Sequence, residues 1–282
     1  MKTAMKTIRC ILPYALCLAF LLTLLSPAAR AIGDDETAGE STDAFLGTED
    51  IRSLSDETDI GDLAADAVRH ASGADIAVLN SGDLGRNLIG GTITYADCRA
   101  VFTEDRELAV VTVTPAQLKD ILECGVSHIV MNSDEETDRE TSAWGGFPQI
   151  SGFVFQYDVS ALVGSRIRWI EIDGDALDLA DNTTTLTLCA TAYMLSGGWD
   201  CFDLGGGEPV GMTLSEALFT YICEQGTISL PVAYTGRIQT AGSKDNGLFE
   251  LLGVSPLILF ISVLIFGSVR SWRFKKYYDF RR

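Results

Sequence analysis

Charge and hydropathy are sorted along this chain in a way that leaves few architectures open. Leu251 to Val269 is a run of 19 residues without a charge, followed by Arg270, Arg273, Lys275, Lys276, Arg281 and Arg282 with Trp272, Tyr277 and Tyr278 among them. A run of that length crosses a hydrocarbon core of about 30 Å; basic residues stay on the cytoplasmic side, and aromatic rings settle at the interface. The other end carries Lys2, Lys6 and Arg9, an apolar run from Cys10 to Leu25, and Ala29 and Ala31 as an A-x-A cleavage site. That is the pattern of a secretory signal peptide. Between Ile32 and Gly247 lie 37 acids and 11 bases. The layout predicts a signal peptide over 1–31, an acidic linker over 32–50, a folded domain over 51–240 and a juxtamembrane linker over 241–250. A transmembrane helix over 251–269 and a basic cytoplasmic tail over 270–282 complete it. The expected localisation is the plasma membrane, single pass, with the folded domain outside the cell.

The formal net charge of −18 argues against nucleic acid as a partner, because a polyanion is held by lysine and arginine, and this surface repels it. Hydrophobic residues make up 47% of the chain, enough for a packed core. Beyond the signal segment remain Cys98, Cys124, Cys189, Cys201 and Cys223. Five is odd and no C-x-x-C occurs, so neither a disulfide framework nor a zinc site is indicated. Most of the five lie in apolar segments and read as packing residues, with one or two disulfides left open.

Local patterns predict a mixture of helices and strands. Ile60, Leu63, Ala64, Ala67, Val68 and Ala71 recur at helical spacing, which predicts a helix over 59–72. Ala74 to Leu79 and Leu108 to Val113 read as buried strands. Thr114-Pro115 offers an N-cap and a proline at the first helical position, with Gly125 as the stop. Strands are expected over 153–157, 167–172, 183–192 and 231–238, and Asp173-Gly174 signals a hairpin. Thr213-x-x-Glu216 is a capping box opening a helix. Without a regular βαβ rhythm, the class is α+β.

Several chemistries are excluded by what is missing. Two histidines, His70 and His128, cannot build a dinuclear metal site or, without a G-x-S-x-G elbow, a recognisable catalytic triad. Gly205-Gly206-Gly207 lacks the G-K-[ST] that makes a phosphate cradle. No catalytic residue and no metal ligand is assigned. What remains are glycine and polar clusters at strand ends: Asn80-Ser81-Gly82, Gly145-Gly146-Phe147 and Ser196-Gly197-Gly198. Phe147 and Tyr193 lie beside two of them, and two rings on facing loops would sandwich a planar base at roughly 1–3 kcal/mol per stacked base. On spacing alone, a core position for both rings is the simpler reading.

Six blocks, in order, tip that balance. Residues 57–67 (ETDIGDLAADA) resemble the E-x-N-L-G-N-L-x-A-D-A opening of the 5′-nucleotidase C-terminal domain family, and 74–82 (ADIAVLNSG) its A-D-I-A-x-x-N-x-G-G-I-R block. Residues 92–97 (TITYAD), 111–118 (VTVTPAQL), 145–152 (GGFPQISG) and 193–200 (YMLSGGWD) are similar to its later blocks. The resemblance implies a four-layer α/β/β/α domain that binds a nucleoside or nucleotide. It implies Phe147 and Tyr193 as the stacking pair, with Asn80, Gly82, Arg86 and Asp200 as further ligand contacts. In the family a separate metallophosphatase domain holds the metals. No cofactor is therefore expected on this chain, and divalent metals enter only if a separate metallophosphatase chain is a partner.

This chain departs from the family pattern in four places. Gly85 stands at the family arginine, with Arg86 displaced by one, and Thr103-Glu104-Asp105-Arg106 replaces the P-F-x-N segment. Ser53 to Asp56 offers no counterpart to the arginine ahead of the first block, and Trp199 is an apparent insertion before Asp200. The expected function is a membrane-anchored extracytoplasmic nucleoside- or nucleotide-recognition domain tied to nucleotide catabolism. The alternative is a degenerate, non-catalytic interaction or scaffold module on the same fold.

Overall fold

The helix anticipated over 59–72 is present from end to end. Thr58 accepts the amide hydrogen of Gly61 at its start, and Gly73, at φ 65°, closes it in the left-handed region. Its buried stripe is Ile60, Leu63, Ala64, Ala67 and Val68. The computed structural model describes residues 31–131, 137–198, 203–230 and 236–241. The chain divides at Glu36 into two units, and the helices and strands all belong to the second, which starts at Thr37.

In chain order the elements begin with strand β1 (Thr37–Ser41), helix α1 (Asp59–Ser72), β2 (Ile76–Asn80), β3 (Gly91–Thr94), α2 (Tyr95–Ala100), β4 (Glu107–Val113) and α3 (Pro115–Gly125). They continue with α4 (Arg139–Ser142), β5 (Pro148–Ser151), β6 (Val154–Tyr157), β7 (Ile167–Ile172), β8 (Asp175–Ala176), β9 (Leu186–Thr191) and α5 (Ala192–Leu195). The last are β10 (Glu208–Thr213), α6 (Leu214–Gln225), β11 (Thr227–Ile228) and β12 (Ile238–Thr240). The capping boxes Thr114/Gln117 and Thr213/Glu216 both close, so α3 and α6 start where the sequence places them. Asp173 and Gly174 take φ values of 53° and 87°, the paired left-handed geometry of a tight hairpin between β7 and β8.

Three sheets result, with orders β10-β4-β9-β2-β5, β12-β6-β7-β8 and β11-β1-β3. Most pairings are antiparallel; β2–β9, β12–β6 and β1–β11 are parallel. The five-stranded and four-stranded sheets share one core of Ile76, Val78, Ile150 and Leu188 against Phe155, Ile167 and Ile170, joined by Leu118 and Leu122 of α3. On the other side of the large sheet lie α1 and α6, while α3 packs on β7. Every residue of β2 is buried, as a strand covered on both faces must be. The arrangement is α/β/β/α in kind.

Two expectations are corrected here. Residues 37–41 are a strand paired with β3 and β11, and Phe45 is buried and bridges to Leu88, so the stretch over 32–50 is not a linker. Its small, polar residues carry little hydropathy; backbone pairing holds it. The second correction concerns the membrane. The apolar run 251–269, the tail 270–282, the segment 242–250 and residues 1–30 of the signal pattern lie outside the described residues. Among the described residues no helix is long and apolar enough to cross a membrane. The longest, α1, has 14 residues, about 21 Å of helix with a single apolar face. The transmembrane helix, the membrane as partner, the single-pass plasma-membrane topology and the signal-peptide reading are therefore withdrawn from fold, function and localisation alike. The strand expected over 231–238 is described only as Ile238–Thr240. Cys98 and Cys189 are buried free thiols, Cys223 is exposed, and Cys124 is disulfide-bonded.

Candidate functional site

Strand β2 ends on Asn80 and turns through a short 3-10 segment, Ser81–Asp83. The amides of Ser81 and Gly82 donate to the carbonyls of Phe147 and Gly145, each at 2.8 Å. Two of the three strand-end clusters are thus side by side, laced by backbone. The third lies at the end of β9, the parallel neighbour of β2, where Thr191 caps α5 and Tyr193 occupies its first turn.

The expected pair of rings does not form a slot. Phe147 is 1% exposed and packs in the inter-sheet core with Leu118, Ile121 and Ile150, so no solute reaches it. The glycines before it bring the backbone to the site, and the ring then turns inward. Tyr193 is 41% exposed, but the guanidinium of Arg106 lies 3.8 Å from its ring centroid. Gly198 abuts the same ring: a Cβ there would sit 2.5 Å from Tyr193 Cε1.

Arg106 is held in that position from several sides. Its Nε donates to Asp83 Oδ1 at 2.9 Å, and Nη2 pairs with Glu104 at 3.1 Å. The loop that carries it is pinned at both ends. Thr103 donates from its amide to the Asp83 carbonyl and from its hydroxyl to the Gly82 carbonyl, and Asp105 accepts both the amide and the hydroxyl of Ser215. Asp83 is 1% exposed, and burial, only partly offset by Arg106, lifts its carboxyl to about 6. Its Oδ2 and the Nδ2 of Asn80 are both buried without a hydrogen-bond partner. Two such orphans within one turn are costly, on the order of 1–3 kcal/mol each.

The other expected contacts scatter. Gly82 is part of the turn itself. Arg86 is exposed, its amide donating to the Val101 carbonyl. Asp200 lies outside the described residues. Arg106 escaped notice as a site residue because it sits in the block that departs from the family pattern, where only the loss was visible. Trp144, stacked on His128 at 4.2 Å with its carbonyl within 3.5 Å of the Ser81 hydroxyl, likewise had no motif to mark it. Among the described residues no group of three or more His, Cys, Asp or Glu is placed to hold a metal ion. His70 is engaged with Glu224 and His128 with Ser127, so neither offers an idle ligand.

With this geometry, the comparisons with known proteins are specific. The profile of the 5′-nucleotidase, C-terminal domain, matches residues 37–204. The chain belongs to that family. It is 27% identical over 164 residues to the trifunctional nucleotide phosphoesterase protein YfkN of Bacillus subtilis (strain 168), covering 55% of this chain and 10% of that protein. To the endonuclease YhcR of the same organism it is 27% identical over 193 residues, covering 67% of this chain and 14% of the relative. Among solved structures it resembles a 5′-nucleotidase precursor from Thermus thermophilus, with a TM-score of 0.61, 21% identity, and 83% of this chain and 44% of that chain covered. A second is the NAD nucleotidase NadN of Haemophilus influenzae, with a TM-score of 0.58, 13% identity, and 74% and 39% covered. At those identities the likeness shows the fold. The chain spans less than half the length of each of these relatives.

Proposed function

We propose that this chain works as an interaction or scaffold module on the 5′-nucleotidase C-terminal fold, with its base-stacking site closed by its own side chains. The observation that carries the reading is the stack of Arg106 on Tyr193. A guanidinium is planar and cationic, and it fills the position over a ring that a planar base would take. Displacing it breaks a charge-assisted bond to Asp83 and leaves a buried carboxylate uncompensated, a cost of roughly 3–5 kcal/mol. One stacked base returns roughly 1–3 kcal/mol. With Phe147 in the core there is no second ring to make up the difference. In this reading Asn80, Gly82, Asp83 and Tyr193 form the wall of a self-filled site. The nucleotide chemistry named for the relatives marks the ancestry of the site.

Isothermal titration of the full chain with adenosine, AMP and other nucleosides tests it. Flat heats are expected up to millimolar ligand. Saturable micromolar binding of any nucleoside, abolished by Tyr193→Ala, would overturn the reading.

A further inference from the structure

Glu57, Asp62 and Asp66 all contact Arg237, just ahead of β12 and far along the chain from all three: Asp62 and Asp66 meet its guanidinium, Glu57 its backbone. Asp66 takes a two-pronged bond, Nη1 to Oδ1 and Nη2 to Oδ2, both at 2.8 Å, and also accepts the Ser151 hydroxyl. Glu57 takes the backbone instead, its two oxygens accepting the amides of Arg237 at 3.0 Å and Ile238 at 2.6 Å. Asp62 has a looser contact, Oδ2 to the Arg237 Nε at 3.6 Å, and its Oδ1 is buried without a partner. Nη1 of Arg237 also reaches the Ile150 carbonyl, and the amide of Phe155 donates to the Arg237 carbonyl. One arginine therefore ties the last described strand to α1, β5 and β6 together.

We infer that this cluster is a proton-held latch: β12 stays fastened while the three carboxyls share one proton, and it is released when that proton leaves. Charge counting supports it. Three ionised acids around one guanidinium leave two net negative charges in a half-buried space, whereas one shared proton reduces that to one. Burial first, then the repulsion of Glu57 and Asp66, raise the Asp62 carboxyl to about 8 against the pull of Arg237. Tyr221 of α6, whose phenol is raised by burial and by Asp66, also faces the cluster, and Arg69 and His70 line the same pocket as Asp66 and Tyr221. Glu57 bears the consequence of ionisation, since both its oxygens hold β12 by the backbone. The family block resembled by residues 57–67 has asparagine where Asp62 stands, a side chain of the same shape that cannot ionise.

The direction follows from linkage. Asp62 in the closed latch keeps its proton to about pH 8, whereas a solvated aspartate gives it up near 4. Opening is therefore favoured by up to about tenfold per pH unit between those limits and levels off above 8. The inference is independent of what occupies the strand-end site.

Amide hydrogen exchange of the full chain tests it, read as protection factors for Arg237 and Ile238 from pH 5 to 9, with Leu188 and Cys189 of β9 as the internal reference. Protection at 237 and 238 is expected to fall with pH up to about 8 and then flatten, while β9 holds. In Asp62→Asn the slope should vanish with the latch still closed. No slope in the unaltered chain, the same slope at β9, or an unchanged slope in Asp62→Asn would each overturn the latch.

Discussion

Asp83 lies directly beneath Arg106, joined to it at 2.9 Å, and yet its second oxygen faces no donor. The pair is thus an under-satisfied ion pair in a nearly dry setting, 1% exposed on the acid and 19% on the arginine. Its carboxyl rises to about 6 from an ordinary 3.8. A folded-state value above the unfolded one means the folded form holds a proton the unfolded form has lost. This group's contribution to stability is greatest below about pH 4, declines as pH rises to 6, and is constant beyond. The stability difference between Asp83→Asn and the unaltered chain should therefore shift in favour of the variant by about 1.4 kcal/mol per pH unit between 4 and 6. Urea titrations at half-unit pH steps check it. A difference that does not vary with pH would mean that Asp83 ionises in the folded chain as it does in water.

Phe147 and Tyr193, the two rings expected to form a slot, should separate sharply in their energetics. Phe147→Ala removes a side chain that is 1% exposed in the shared core, and a loss of about 3–5 kcal/mol is expected. Tyr193→Ala removes a half-exposed ring and its contact with Arg106, with an expected loss of about 1 kcal/mol or less. Chemical denaturation of the two variants decides the matter: similar small losses would place Phe147 outside the core.

Elements with strong local signals were legible in the sequence, and the site was legible only as a place. α1 announces itself through apolar spacing, and α3 and α6 through their Thr114 and Thr213 caps, signals that act within a few residues. The motif glycine Gly61 has a reason no pattern reveals. A Cβ there would lie 2.0 Å from the Oε1 of Gln149, a buried amide that binds the Thr58 amide and the carbonyls of Ser53 and Asp56. β1 was missed because its residues are small and polar and its partners lie far along the chain. Motif order brought Asn80, Gly145 and Tyr193 to neighbouring strand ends. Ring orientation was beyond it. Whether Phe147 turns toward solvent or core depends on the space between two sheets, and whether Tyr193 is free depends on one arginine in a divergent loop.

Glu123 on α3 repeats at another seam what Glu57 does at β12. Its two oxygens accept the amides of Arg166 and Ile167, each at 2.8 Å, at the start of β7. Arg166 in turn sends one nitrogen to the carbonyls of Val126, Ser127 and Ile129 just past the helix end, where the last turn leaves acceptors unmatched. Helix and strand are therefore locked by reciprocal polar contacts between buried groups, Glu123 being 5% and Arg166 8% exposed. Glutamine at 123 keeps the shape and one acceptor but turns an amide NH2 toward one of the two backbone donors, stranding it. Glu123→Gln should cost about 1–3 kcal/mol and should selectively raise exchange at the amides of 166 and 167, with the β2 amides following only the global loss. Exchange mass spectrometry alongside urea melts reads both quantities. Full stability with unaltered protection at 166 and 167 would show that the carboxylate is not what fastens β7 to α3.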